Sequence, residues 1–160
     1  MNLEEMENRL KNLEDIEAIR QIQIRYVNDL TTIDWDDLVD CFADEAVVDL
    51  SVGKVKGKQA IENLFKKKIS ITHVGQEGNC VVHPVISVDG DKAKGSWLLY
   101  THFSLPHKIQ IDPSPTADVD APDWMGGYYE MEYIRERGDW KISQLRWTRR
   151  LISPRPADER

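Results

Sequence analysis

The amino-acid sequence predicts an α+β fold, in which three helices pack on a curved, cone-shaped sheet of mixed or antiparallel strands. Apolar residues with helical spacing dominate the first half of the chain, and alternation of apolar and polar residues dominates the second half. Strands that follow helices, instead of alternating with them, are typical of this class. The length of 160 residues suits one domain. We therefore expect a single domain over residues 1–152, with a helical extension at 1–14 and a disordered tail at 153–160.

The first helix is expected to be long, from about Leu3 to about Leu30. Leu3, Met6, Leu10 and Leu13 recur at intervals of three, four and three residues, with polar residues between them. This is a heptad-type stripe. The first part of the helix is too polar to be buried on both sides. It is predicted to lie along a neighbouring subunit or to cap its own domain, and the alternative is a frayed, exposed helix.

Two shorter helices and a short hairpin follow. Asp34 is a good N-cap for a second helix, because Asp36 and Asp37 then occupy its first turn. Alternating apolar residues in "EAVVDLSVGKVKG" predict a hairpin that turns at Gly53. The stretch "GKQAIENLFKKK" predicts a third amphipathic helix.

The remainder of the chain is predicted to form four long antiparallel strands. The turns "DGD" and "ERGD" each join two alternating segments. Between the two hairpins, residues 107–127 are predicted to form a long mobile loop, and residues 112–126 of this loop are the candidate lid. Loops of this length commonly cover a site, and Trp124 and Met125 would close an apolar mouth as a lid.

Composition excludes several classes of function. The net charge of −7 argues against a nucleic-acid partner, which would need a basic surface. No apolar run is long enough to span a membrane and no signal peptide is evident, so a cytoplasmic protein is expected. Cys41 and Cys80 lie in apolar surroundings and are predicted to be buried free thiols. No cluster has the spacing of metal ligands and no phosphate-binding loop is present, so neither a metal nor a cofactor is expected.

Five stretches together resemble the SnoaL-like branch of the nuclear-transport-factor-2-like superfamily. They are "EDIEAIRQIQIRYVNDL", "DWDDLVDCFADEAVVD", "GKQAIENLF", "HPVISVDGDKAKGSWLLY" and "YYEMEYIRERGDWKISQLRWTRR". The resemblance runs from about Leu13 to Arg150 and is nearest to the scytalone dehydratase and bile-acid 7α-dehydratase group. It implies a cofactor-free lyase, a homo-oligomer (trimer or dimer), and a pocket inside the cone that uses a His–Asp pair and one or more tyrosines.

The catalytic residues that this resemblance implies are only partly present. The tyrosine of the first helix corresponds to Tyr26, and Thr31 stands in place of the aspartate. The histidine corresponds to His73 in "ITHVG", or to Asn79 if the count runs back from the following hairpin. Thr101 replaces an acidic residue of the bile-acid enzyme. Two alternatives stay open: extra residues keep His73 at the pocket, or Asn79 occupies the position of the base.

Strand alternation extends the candidate site, because side chains two residues apart share a face. If Asn79 faces the pocket, then His83 does as well, although a histidine before proline is commonly structural. The resemblance implies that the strand faces that carry Trp97 and Trp147 point into the pocket. The predicted ligand-binding residues are Asn79, His83, Trp97, Leu99, Thr101, Phe103, Tyr129, Trp147 and Arg149.

The expected function is that of a lyase or isomerase acting on a hydrophobic cyclic small molecule, such as a steroid, a polyketide or an aromatic intermediate. His73 would be the base, Tyr26 a hydroxyl donor and Thr31 the residue that orients the histidine. Each has a simpler interpretation, since Tyr26 is equally a core tyrosine and His73 a capping residue. The alternative is a non-catalytic module for small-molecule binding or oligomerisation.

Overall fold

The computed structural model describes residues 2–75, 77–103, 108–110, 118–120 and 124–152, and for 108–110 and 118–120 it describes the backbone alone. The predicted tail at 153–160 lies outside the described residues, as do residues 112–117 and 121–123 of the predicted lid. None of the helices in the described ranges is long and apolar enough to cross a membrane.

The first helix, α1, spans Leu3–Thr32 and begins with a capping box. The Asn2 side chain accepts a hydrogen bond from the Glu5 backbone at 2.8 Å, and the Glu5 carboxylate accepts one from the Asn2 backbone at 3.0 Å. The helix ends at Ile33, whose backbone is left-handed. Its four predicted stripe residues are 50–71% exposed, whereas Ile19 and Tyr26 are buried. The first half of α1 therefore presents an uncovered apolar stripe, and the second half packs into the core.

The next elements have the predicted order. Asp34 caps helix α2, Trp35–Asp40, by accepting from the Asp37 backbone. A hairpin of strands β1 and β2 and then helix α3 follow, at Phe42–Leu50, Gly53–Lys56 and Lys58–Lys67. A single 3₁₀ turn at Ile69–Ile71 leads out of α3 towards the sheet.

Six strands form the main sheet, in the order β2-β1-β8-β7-β4-β3. The four long strands are β3 at Glu77–Asp89, β4 at Lys92–Phe103, β7 at Trp124–Glu136 and β8 at Asp139–Ile152. They pair in antiparallel fashion as predicted, with turns at Gly90 and Gly138, both at positive φ. Strand β8 also pairs in parallel with β1, so that the sheet is mixed. The predicted fold class is confirmed.

The segment predicted as a loop at 107–127 is partly β-structure. Strand β5, Lys108–Gln110, pairs with β6, Asp118–Asp120, in a separate two-stranded sheet. Strand β7 already begins at Trp124, because residues 124–127 continue the ladder opposite Leu99–His102. The prediction of a continuous loop up to Gly127 is therefore wrong.

The two cysteines differ in their surroundings. Cys41 is buried as predicted, but the prediction of burial is wrong for Cys80, which is exposed. Cys80 lies on β3, which is one of the two edge strands of the sheet, and no strand within the described residues pairs with its outer side. Apolar neighbours in sequence do not imply burial at such an edge, because alternate side chains of a strand face opposite sides.

Candidate functional site

A cavity of about 320 Å³ lies between the helices and the strands β4, β7 and β8. Its wall is mainly apolar, with Leu30 from α1 and Phe65 from α3 among its residues. Eight of the predicted site residues line it: Tyr26, His73, Leu99, Thr101, Phe103, Tyr129, Trp147 and Arg149. Among the described residues, no aspartate or glutamate lines the cavity. An apolar cavity with few polar groups is the usual form of a small-molecule site.

Two tyrosines from different elements meet in the cavity wall. The hydroxyl oxygens of Tyr26 on α1 and Tyr129 on β7 lie 3.4 Å apart, and their rings meet edge to face. Burial raises the pKa of Tyr129 to about 12 and raises the pKa of Tyr26 well above its ordinary value, so both are neutral. One proton serves the hydrogen bond between the two hydroxyls. The other is available to a ligand, so that the pair can donate to a carbonyl oxygen.

His73 is held in the wall by the turn that precedes β3. It is 8% exposed, and its backbone N–H donates to the Ile69 carbonyl at 2.9 Å. The Glu77 carboxylate accepts from the backbone N–H groups of Val74 and Gly75, at 2.9 and 3.0 Å. These bonds fix the loop on both sides of the histidine.

The contacts of the His73 ring favour one tautomer. The Thr72 hydroxyl donates to the Ile69 carbonyl at 3.2 Å and lies 3.1 Å from His73 Nδ1. When its single proton is directed to Ile69, the hydroxyl oxygen is left to accept from Nδ1–H. We therefore infer the tautomer that has its lone pair on Nε2. Burial lowers the pKa of His73 below its ordinary value, despite the opposing effects of Glu77 and of the Ile69 carbonyl, so the ring is a neutral base near pH 7.

Thr31, Asn79 and Thr101 form a directed chain of hydrogen bonds beside the cavity. Thr101 Oγ1 donates to Asn79 Oδ1 at 2.9 Å, Asn79 Nδ2 donates to Thr31 Oγ1 at 3.2 Å, and Thr31 donates to the Val27 carbonyl at 2.8 Å. The hydroxyl protons of Thr31 and Thr101 are therefore both engaged in hydrogen bonds within the protein. Thr101, which lines the cavity, can offer a ligand only the lone pairs of its oxygen.

The structure places both candidates for the base position, His73 and Asn79, in or beside the cavity wall. His73 lines the cavity, and Asn79 contacts the threonine that replaces the aspartate. The prediction that Thr31 orients His73 is wrong, because the hydroxyl of Thr31 is bonded to Asn79 and Val27. Thr72 bonds the imidazole instead. The one sign of this contact in the sequence was that a hydroxyl residue, Thr72, directly precedes the candidate histidine.

Two predicted residues lie away from the cavity. His83 is exposed and at positive φ, in an irregularity of β3 between Val82 and Val85 that breaks the alternation of faces. The prediction that it shares the pocket face of Asn79 is therefore wrong. Trp97 is buried in the core instead of lining the cavity, and its indole N–H donates to the Tyr133 hydroxyl at 3.0 Å.

Other parts of the wall were not among the predicted ligand-binding residues. Leu30, Phe65 and Ile69 come from helical segments, and Met125 and Ile152 come from the paired ends of β7 and β8. Met125 was expected at the cavity mouth as part of a lid, and it lines the cavity from the main sheet instead. Elsewhere in the described part of the chain, no three His, Cys, Asp or Glu side chains cluster as metal ligands would.

Solved structures of low sequence identity share this fold. A hexachlorocyclohexane dehydrochlorinase, LinA-type3 from Novosphingobium barchaimii, superposes with a TM-score of 0.72 at 17% identity, over 93% of this chain and 95% of that one. A protein described as a scytalone dehydratase, from Novosphingobium aromaticivorans, gives 0.68 at 14% identity, over 89% and 88%. An NTF2-like protein with a cystatin-like fold from the same species gives 0.70 at 16% identity, over 91% and 88%.

The sequence itself matches one family. No curated protein matches the chain. The SnoaL-like domain, however, matches residues 11–146, which is most of the chain and agrees with the resemblance that its motifs indicated. The chain therefore belongs to the SnoaL-like domain family.

Proposed function

We propose that the protein is a cofactor-free lyase or isomerase, which transfers a proton on a hydrophobic cyclic small molecule bound in the cavity. The observation that carries the proposal is the setting of His73: a buried imidazole in an apolar wall, with Nδ1 at 3.1 Å from the Thr72 hydroxyl, from which we infer a neutral ring with its lone pair on Nε2. A general base needs these properties.

The proposed reaction begins at a carbon next to a carbonyl group. His73 Nε2 takes the proton, and the electron pair of the broken C–H bond moves to the carbonyl oxygen. A hydroxyl of the Tyr26–Tyr129 pair donates to that oxygen and stabilises the developing enolate. A lyase would then expel a hydroxyl group, which leaves as water with the proton from His73. An isomerase would return the proton to a different carbon.

The relatives support this class of chemistry. The names of the hexachlorocyclohexane dehydrochlorinase and of the protein described as a scytalone dehydratase both denote eliminations, of hydrogen chloride and of water respectively. Their identity to this chain is only 14–17%, so they support the fold and the class but no substrate.

A second candidate is a non-catalytic binding module with the same cavity. The chain of Thr31, Asn79 and Thr101 favours it, because the sequence resemblance places Thr31 and Thr101, and on one of the two counts Asn79, where the related enzymes have charged or titrating groups, and here these residues bond to one another. The cavity wall also has no carboxylate, among the residues described, to stabilise a His73 imidazolium.

Proton exchange on a probe ketone separates the two candidates. The probe is 2-tetralone, a two-ring ketone, and the measurement is the loss of its α-proton signal in D₂O by nuclear magnetic resonance. We expect wild-type protein to accelerate exchange, and His73→Gln to reduce that acceleration by about 100-fold or more. The control is His102→Gln, which changes an exposed histidine on the other face of β4. Equal exchange by wild type and His73→Gln would contradict the proposal, and 2-tetralone binding without exchange would favour the binding module.

A further inference from the structure

Arg149 is the cationic side chain of the cavity wall. It lies near the end of β8, paired with Gly127 of β7, and it is exposed. The other basic side chains nearby are engaged elsewhere: Arg146 lies 3.7 Å from Glu130, and the guanidinium of Arg150 lies over the Tyr128 ring. Within the described part of the chain, Arg149 itself makes no ion pair at 4.0 Å or less.

The charge of the cavity contrasts with the charge of the protein. The chain carries a net charge of −7, yet the described cavity wall holds one guanidinium and no carboxylate. A guanidinium presents two parallel N–H donors that match the two oxygens of one carboxylate. The wall therefore favours an anionic group at this position, although the protein as a whole repels anions.

The strand register sets how far apart Arg149 and the tyrosine pair begin along the cavity wall. On β7 and β8, Tyr129 pairs with Trp147 and Gly127 pairs with Arg149. The Gly127–Arg149 pair is thus two residues along the strands from the Tyr129–Trp147 pair, which is about 7 Å. Gly127 has no side chain, and an added Cβ would lie 2.7 Å from the Trp147 ring, so the indole covers the space between these two pairs. A flat, two-ring body spans this distance.

We propose that the natural ligand is a cyclic carboxylic acid, with its carboxylate at Arg149, its apolar rings against Trp147, and a carbonyl or hydroxyl group at the Tyr26–Tyr129 pair. This inference names the ligand class of the cavity used in the proposed function. It does not depend on proton transfer by His73. One guanidinium matches the single charge and the two oxygens of one carboxylate, whereas a phosphate ester carries up to two negative charges and the described wall holds no second guanidinium or ammonium group.

The test compares an acid with its uncharged ester. The probes are 6-hydroxy-2-naphthoic acid and its methyl ester, and their dissociation constants are measured by isothermal titration calorimetry at pH 7.5. We expect the acid to bind wild type more tightly than the ester. Arg149→Gln should weaken binding of the acid about tenfold and change binding of the ester less than twofold. Arg150→Gln, the neighbouring arginine on the opposite face, should change neither.

Three results would overturn the inference: equal affinity of wild type for the acid and the ester, equal weakening of both by Arg149→Gln, or no binding of the acid to wild type. The test is separate from that of the proposed function. If wild type binds the ester but does not prefer the acid, only the proposed carboxylate of the ligand is ruled out. If wild type prefers the acid but does not accelerate exchange on 2-tetralone, only the proposed proton transfer is ruled out.

Discussion

The amide of Asn79 donates to the hydroxyl oxygen of Thr31 at 3.2 Å, which joins strand β3 to the end of helix α1 across 48 positions of sequence. The same amide accepts from Thr101, so that one asparagine satisfies two threonines. A hydrogen bond in a buried setting contributes modestly when formed but costs more when one partner is left alone. This relationship therefore fixes the wall of the cavity beside His73 without any charge.

Removing the asparagine should destabilise the fold through its partners. Asn79→Ala leaves the fully buried hydroxyl of Thr101 without its acceptor, and we expect a loss of about 1–3 kcal/mol in the free energy of unfolding. The double variant Asn79→Ala/Thr101→Val removes both partners and should lose less than the sum of the two single variants. Urea denaturation gives the four free energies, and additivity within about 0.3 kcal/mol would show that the bond is not significant.

The stability of the protein should depend on pH through His73. Its pKa is lowered in the folded state by burial, so the unfolded chain binds a proton first as the pH falls. The stabilisation is present above the unfolded pKa, about 6.5, and is lost as the pH falls through the folded pKa. Wild type should therefore lose more stability between pH 7.5 and pH 5 than His73→Gln does. Parallel curves for the two proteins, from urea denaturation at each pH, would show that His73 is not buried as described.

Gly127 should not tolerate a side chain. An added Cβ would lie 2.2 Å from the Thr148 carbonyl oxygen and 2.7 Å from the Trp147 ring, so Gly127→Ala forces strands β7 and β8 apart. We expect it to cost about 1–3 kcal/mol and to weaken binding of 2-tetralone. Gly78→Ala is the matched control on β3, because its nearest atom would be 3.8 Å away. Equal stability of the two variants in urea would contradict the close packing of Trp147 on Gly127.

The uncovered stripe of α1 should pair with a second copy of the chain. Leu3 and Leu10 occupy one heptad position, and Met6 and Leu13 the other, and all four are at least half exposed. In a parallel pair, this register places Arg9 of one helix near Glu14 of the other, which are opposite charges. Light scattering should give the mass of a dimer or larger oligomer for wild type, and a smaller mass for Leu10→Glu. Asn8→Glu, on the opposite side of the helix, should leave the mass unchanged, and a monomeric wild type would exclude the pairing.

Local patterns in the sequence predicted most of the fold, because spacing and turn residues act over a few positions. The capped helices, Gly53 and the turn at Gly90 are of this kind. The parallel pairing of β1 with β8 is not visible in the sequence, since it joins segments about a hundred residues apart.

The candidate site was less predictable, because it depends on contacts between segments that are distant in the sequence. Alternation failed at His83, where the strand is irregular, although the following Pro84 was a local sign of such a break. For Trp97, alternation does not indicate how far along β4 the cavity extends. The contact of Asn79 with Thr31 depends on the packing of α1 against β3, and its contact with Thr101 depends on the pairing of β3 with β4, neither of which a short motif shows.

The role of His73 as the base is tested most directly by the nitrogen nuclear magnetic resonance spectrum of ¹⁵N-histidine-labelled protein, with the His73 signals assigned by comparison with His73→Gln. At pH 7 we expect a neutral ring with the proton on Nδ1 and a bare Nε2, titrating only below the ordinary histidine pKa. On adding 2-tetralone, the Nε2 signal should shift more than the Nδ1 signal. A ring protonated on Nε2, or a charged imidazolium at pH 7, would contradict the assignment of His73 as the base.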